Sequence, residues 1–149
     1  MARHVVRVQG VIAAPPAAAY AVIADYRDWH PWIIPRPPFV DLQVDEGGVG
    51  AGTVIRFSMR AFGRTTTMRA TISEPEPGRV LVETDPEGAV ITTFTVDPEA
   101  DGTRSRVTIA TDLEVAGWLR RLFVTRFLRR VYTREIALLE KVAAERAGG

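Results

Sequence analysis

The 149-residue chain has no cysteine, which excludes disulfides, thiolate nucleophiles and thiolate metal ligands. It has only two histidines, His4 and His30, and nothing like a two-histidine metal spacing joins them. No phosphate-cradling glycine loop and no nucleophile elbow is present. No metal and no cofactor is therefore expected. Charge of one sign is also scarce: the net charge is +1, so nothing draws the whole molecule to nucleic acid, and no such partner is expected. No run approaches the roughly 20 apolar residues of a membrane span. The opening MARHVVRVQGVIAAPP lacks the continuous apolar stretch of a signal peptide. The expectation is a cytoplasmic protein without stable membrane insertion. Repeats, charge runs and low-complexity linkers are missing too, so residues 1–149 read as one domain.

The dominant feature that is present runs from Trp118 to Arg146 without Gly or Pro, just after Ala116-Gly117. As a helix it would be a rod of roughly 43 Å. At about 100° per residue, Val124, Leu128, Val131, Leu138, Leu139 and Val142 share one side, and Arg126, Arg130, Arg134 and Lys141 share the other. Glu135 lies near the centre of the apolar side.

The rest of the chain reads mostly as strands. Residues 3–13 alternate, with Val6, Val8 and Ile12 on one face. Pro16 suits the first turn of a short helix reaching about Asp25, with Tyr20, Ile23 and Ala24 inward. Tyr26 to Pro35 holds a tyrosine, two tryptophans, His30 and two prolines, which predicts a bent aromatic segment with one helical turn at Asp28–Trp32. From Phe39 the period is two. Strands are predicted at Phe39–Asp45, Thr53–Ala61, Arg64–Ser73, Arg79–Thr84, Ala89–Val96 and Thr103–Val115, the last being the longest. Val107, Ile109, Thr111 and Leu113 oppose Arg106, Thr108 and Asp112, so one face of the sheet meets water and the other a core. A curling antiparallel sheet with the long helix on its apolar face satisfies the layer requirement.

These pieces carry a resemblance. The opening strand running into Ala13-Ala14-Pro15-Pro16, Val22–Tyr26, the aromatic-Pro-Trp run at Trp29–Trp32, Gly50-Ala51-Gly52-Thr53-Val54, Glu76–Leu81, Asp101–Arg104 and the terminal helix occur in order along the whole chain. Together they resemble the START-like, helix-grip (SRPBCC) superfamily, in its polyketide cyclase/dehydrase-like branch. The resemblance implies an α+β fold. A seven-stranded curved antiparallel sheet would wrap around the C-terminal helix, with two short helices after the first strand and an elongated apolar cavity inside. It implies a hydrophobic or amphipathic ligand, lipid- or polyketide-like, for a carrier or sensor. A cyclase or dehydratase working with cavity acids and bases is the alternative.

Strand parity places Val6, Val8, Ile55, Phe57, Met59, Met68, Ile72, Phe94, Val107 and Ile109 on the inner face, with Val124, Leu128, Val131 and Leu139 from the helix. They line a cavity or fill a solid core. The candidate ligand contacts are Tyr26, Trp29, His30, Phe57, Met59, Met68, Phe94, Ile109, Leu128, Val131, Tyr132 and Glu135, with Glu135 and His30 as candidate acid–base groups. Glu135 in an apolar cavity would be held protonated by desolvation. Alternatively Arg56 or Arg69 ionises it, or it pairs with Arg130 or Arg134 at the helix edge. His30 stands at the cavity mouth with Tyr26 and Trp29, or is a surface ring stacked on proline. Trp32 reads as packing over the open end of the sheet, and Tyr132 meets either a ligand or solvent. The arginine flank of the helix is either a solvated face or a contact for anionic lipid or RNA.

Overall fold

The computed structural model describes residues 3–148. Its elements run β1 (Arg3–Ile12), α1 (Pro16–Ala24), a 3-10 turn at His30–Trp32, β2 (Phe39–Glu46), β3 (Val54–Ala61), β4 (Arg64–Glu76), β5 (Val80–Thr84), β6 (Val90–Glu99), β7 (Arg104–Glu114) and α2 (Trp118–Gly148). All strands join one curved sheet in the order β1-β7-β6-β5-β4-β3-β2, antiparallel throughout. β2 to β7 form a meander joined by short turns, whereas β1 pairs with β7 across the length of the chain.

Local chemistry explains most of the boundaries. Pro16 opens α1, and Asp25 ends it by accepting from the backbone N–H groups of Arg27 and Asp28 through its Oδ1 at 3.1 and 2.9 Å. The second helical segment is shorter than expected: Pro31 and Pro35 restrict it to one 3-10 turn. The longest strand is β4, with thirteen residues, rather than β7, with eleven. β4 runs on through Pro75 because an irregularity between Ser73 and Glu76 spares Pro75 from donating to the ladder. β6 likewise continues through exposed Pro98 to Glu99.

At two glycines a side chain would press on a neighbour. Gly10 in β1 lies under α2, where an added Cβ would come within 3.0 Å of Ile136 Cγ2. Gly50 has φ +70°, and a Cβ there would meet Glu74 Oε1 at 2.4 Å. The Gly50 loop fastens α1 to the sheet. Gly50 N–H donates to Ala24 O at 2.9 Å, and Tyr26 N–H donates to Gly48 O at 2.8 Å. Glu74 accepts from Ala51 N–H at 2.8 Å and from the Tyr20 hydroxyl at 2.6 Å.

Helix α2 divides the interior in two. Its C-terminal half buries Ile136, Leu139, Val142 and Ala143 in one cluster with Val6, Ile12, Ile23, Val107 and Ile109. That half is a solid core. The N-terminal half faces an open space.

Candidate ligand-binding cavity

The space between the N-terminal half of α2 and the sheet is a cavity of about 230 Å³. Phe57, Met59 and Met68 of β3 and β4 supply one apolar wall, Phe94 and Leu113 another, and Val124, Phe127 and Leu128 the helix side. Half-buried Phe39 and Phe127 and exposed Phe62 border its outer part, and the Phe62 and Phe127 ring centroids are 5.3 Å apart. Polar groups collect on its wall: buried His30, Thr92, Thr111, Tyr132 and Glu135, and half-buried Glu83.

Glu135 lies on the inner side of α2 and is 3% exposed. Burial, then the nearby Glu83 carboxyl, pushes its pKa well above the usual carboxylate range. The arginines that could have ionised it are engaged elsewhere. Arg56 and Arg69 lie on the outer face beside Asp45, and Arg134 donates to the backbone oxygens of Pro37 and Arg36. The edge ion pair for Glu135 is thus not formed, and no salt bridge among the described residues includes it.

Glu83 reaches the same space from β5. Burial raises its pKa to about 7, opposed by the hydrogen bond it accepts from the Tyr26 hydroxyl. Tyr26 itself is fully buried; desolvation and the Glu83 carboxylate hold its hydroxyl protonated. Its ring stacks on His30 at 4.1 Å with 19° between planes. His30 is therefore neither a mouth residue nor a surface ring on proline: it is 2% exposed, wedged between Tyr26 and the edge of Phe94. His30 Nδ1 lies 2.7 Å from Ile23 O, an atom that only accepts, so Nδ1 carries the proton. Its Nε2 lone pair then faces Glu83 Oε2 at 3.9 Å. Burial lowers the His30 pKa to about 4, so the pair is not an ion pair at neutral pH.

A third polar feature is a chain of hydroxyls. Thr92 and Thr111 are 2.9 Å apart, and Thr111 is hydrogen-bonded to the Tyr132 hydroxyl. Tyr132 does not reach solvent, and burial pushes its pKa up. The cavity thus presents proton donors and two carboxyls within apolar walls, with no cationic side chain lining it.

Among the residues selected from the sequence, His30, Ile55, Phe57, Met59, Met68, Phe94, Val124, Leu128, Tyr132 and Glu135 lie on the cavity wall. Tyr26 stands behind His30. Trp29 is half-buried against the core and off the wall. Ile109, Val131, Val6, Ile72, Val107 and Leu139 are buried in the solid core, and Val8 packs against it. They share the correct face but pack away from the cavity, in the core cluster beneath α1 and α2. Trp32, at the end of the 3-10 turn, is 69% exposed rather than packed over the open end of the sheet. Sequence parity missed Glu83, Thr92 and Phe127 as wall residues.

An antiparallel sheet gripping a long C-terminal helix over an apolar cavity defines a START-like, helix-grip domain. The model of the family described as polyketide cyclase / dehydrase and lipid transport matches residues 3–144, and the chain belongs to that family. No curated protein matches it. Among solved structures, the KanY protein is 28% identical with a TM-score of 0.83, over 97% of this chain and 99% of that one. TTHA0849 from Thermus thermophilus is 22% identical with a TM-score of 0.75, covering 95% and 98%. The Zhui aromatase/cyclase from Streptomyces sp. R1128 is 20% identical with a TM-score of 0.66, covering 99% and 94%. The last two likenesses concern the fold alone.

Proposed function

We propose that the chain binds a neutral amphipathic small molecule, lipid- or polyketide-like, as a carrier or sensor. The observation that carries this reading is Glu135, a buried carboxyl on the wall of an apolar cavity with no cationic partner. A protonated carboxyl donates a hydrogen bond, so a carbonyl or hydroxyl of the ligand is its natural complement. An anionic headgroup would meet two carboxyls and no cation, which disfavours it. The ligand's apolar body would lie along Phe57, Met59, Met68 and Leu128, contributing about 25 cal/mol for each Å² removed from water.

One observation favours a second reading, an acid–base enzyme of the cyclase or dehydratase type. Glu83 titrates near neutrality while Glu135 stays protonated above it, the split that assigns one group as base and the other as acid. Such an enzyme would abstract a proton beside a ligand carbonyl with Glu83 and protonate oxygen with Glu135.

Binding is tested with a neutral hydrophobic fluorophore, N-phenyl-1-naphthylamine, against wild type and a cavity-filling Leu128→Trp variant. Micromolar binding by wild type that the variant loses is expected. Failure of wild type to bind it, or any lipid or polyketide-like ligand, sinks both readings. Native mass spectrometry of protein from its own host identifies a co-purifying ligand. With that ligand, Glu83→Gln and Glu135→Gln decide between the two readings: unchanged chemistry of the ligand means a carrier, and lost turnover with retained binding means an enzyme.

A further inference from the structure

The most exposed apolar surface among the described residues belongs to the first turns of α2. Trp118 is 75% exposed, Leu119 50%, Leu122 39% and Phe123 52%. At about 100° per residue these four side chains fall within one outward arc. The same arc continues along the helix as Arg126, Arg129 and Arg130, all exposed. None of these three arginines forms a salt bridge among the described residues. From Trp118 to Arg134 the helix contains six arginines and no acidic residue, in a chain whose net charge is only +1. The positive charge is thus concentrated in this half of α2, with Arg120 and Arg121 between the apolar residues of the tip and the other four behind it.

We propose that this end of α2 is a docking surface for an anionic lipid bilayer. Trp118, Leu119, Leu122 and Phe123 enter the interface, and Arg126, Arg129 and Arg130 meet the phosphates. Eight residues separate Leu122 from Arg130, about 12 Å along the axis, which lets apolar and basic groups occupy different depths of one interface. A nucleic acid would use the arginines but leave the four apolar side chains in water, so the bilayer is the better complement to the whole surface. No helix of the described residues is long and apolar enough to cross a membrane, so the contact is peripheral. The surface adjoins the cavity: Val124 and Phe127, on its wall, directly follow Phe123 and Arg126 in the helix. Exposed Phe62, beside Phe127, adds an apolar group at the same edge. Docking here would bring the cavity's outer part against the bilayer.

Cosedimentation of the full chain with phosphatidylcholine vesicles, with and without phosphatidylglycerol, tests the surface without any cavity ligand, so its outcome is separate from that of the binding reading. Binding is expected only with phosphatidylglycerol, and weakening at high salt. The exposed triple change Arg126→Gln, Arg129→Gln, Arg130→Gln should lower the partition coefficient on the order of 100-fold, at about fivefold per arginine. Leu122→Ser with Phe123→Ser should abolish binding while circular dichroism and melting remain those of the wild type. The proposal is overturned if wild type ignores anionic vesicles, or if it binds neutral ones equally well. It is also overturned if sedimentation equilibrium shows a stable dimer that Phe123→Ser dissociates, since a second copy would then cover the patch. Oligonucleotide binding that survives Leu122→Ser and Phe123→Ser, with no vesicle binding, would assign the arginines to nucleic acid instead.

Discussion

The Tyr26 hydroxyl donates to Oε2 of Glu83 inside a pocket that contains no cation, and this bond is the main feature holding the Glu83 pKa down against burial. Tyr26→Phe should therefore raise the Glu83 pKa above about 7. Carbon-13 NMR titration of the Glu83 carboxyl measures it directly. Denaturant unfolding should show a larger stability loss at about pH 8.5, where a buried carboxylate loses its donor, of roughly 1.5–3 kcal/mol. At about pH 5 the acid is neutral and the loss should be smaller. An unmoved Glu83 titration would show that the hydroxyl bond has no such role.

Stability should depend on pH through the same cluster, with opposing signs. Glu83 has a folded pKa near 7 against an ordinary value of 4.5, so the stability it contributes is complete below 4.5 and lost as pH rises through 7. Glu135 acts in the same direction. His30, lowered from 6.5 to about 4, contributes stability that is present above 6.5 and lost as pH falls through 4. Between 4.5 and 6.5 the two kinds of group offset each other. Above 6.5 only the carboxyls remain, and Tm should fall as pH rises. The Glu83 part is on the order of 3 kcal/mol over the whole interval from 4.5 to 7, most of it where His30 offsets it, so the decline above 7 belongs mainly to Glu135. Melting curves across pH for Glu83→Gln with Glu135→Gln should lose this alkaline decline; if the decline persists, other groups cause it.

Why some of this was visible in sequence, and some was not, follows from the geometry of strands and helices. The α+β helix-grip architecture was legible because period-two strands, short turns and an unbroken helical pattern leave few other ways to bury the apolar faces. Glu135 was legible because 3.6-residue periodicity is unambiguous over a helix this long. Glu83 was not, since β5 is short and Val80, Leu81 and Val82 make both of its faces apolar, so parity alone does not choose an inner side. Inward Leu81 is the signal that would have placed Glu83 beside it, two residues on. Ile109 and Val131 face inward as expected, but parity does not tell which end of the helix closes on the sheet and which stands away. Around His30 and Trp32 the prolines remove periodicity altogether, leaving nothing to separate a buried ring from an exposed one.

The loop that aligns α1 with the sheet depends on backbone that only glycine adopts at low cost. Gly50→Ala places a Cβ 2.4 Å from Glu74 Oε1 at φ +70°, so Glu74 must release Ala51 or Tyr20. A loss of about 1–3 kcal/mol is expected, seen as a Tm lower by roughly 2–12 °C. An unchanged Tm would mean that the loop relaxes freely and does not position Tyr26.

Glu135→Leu separates a group kept for its ligand from one kept for the fold. The carboxyl is 3% exposed and finds no cation, and holding a polar group among apolar cavity walls costs stability even in the protonated form. Leucine removes that cost and makes the inner side of α2 continuously apolar between Leu128 and Leu139. Stability should hold or rise, by about 1 kcal/mol, in thermal and denaturant unfolding. Affinity for a ligand bearing a carbonyl or hydroxyl should fall roughly tenfold or more, the worth of one buried hydrogen bond with its partner left unpaired. A ligand without a polar group should bind the variant at least as well as wild type. If leucine instead destabilises the chain and leaves polar-ligand affinity unchanged, Glu135 serves the fold and the ligand contacts lie elsewhere on the cavity wall.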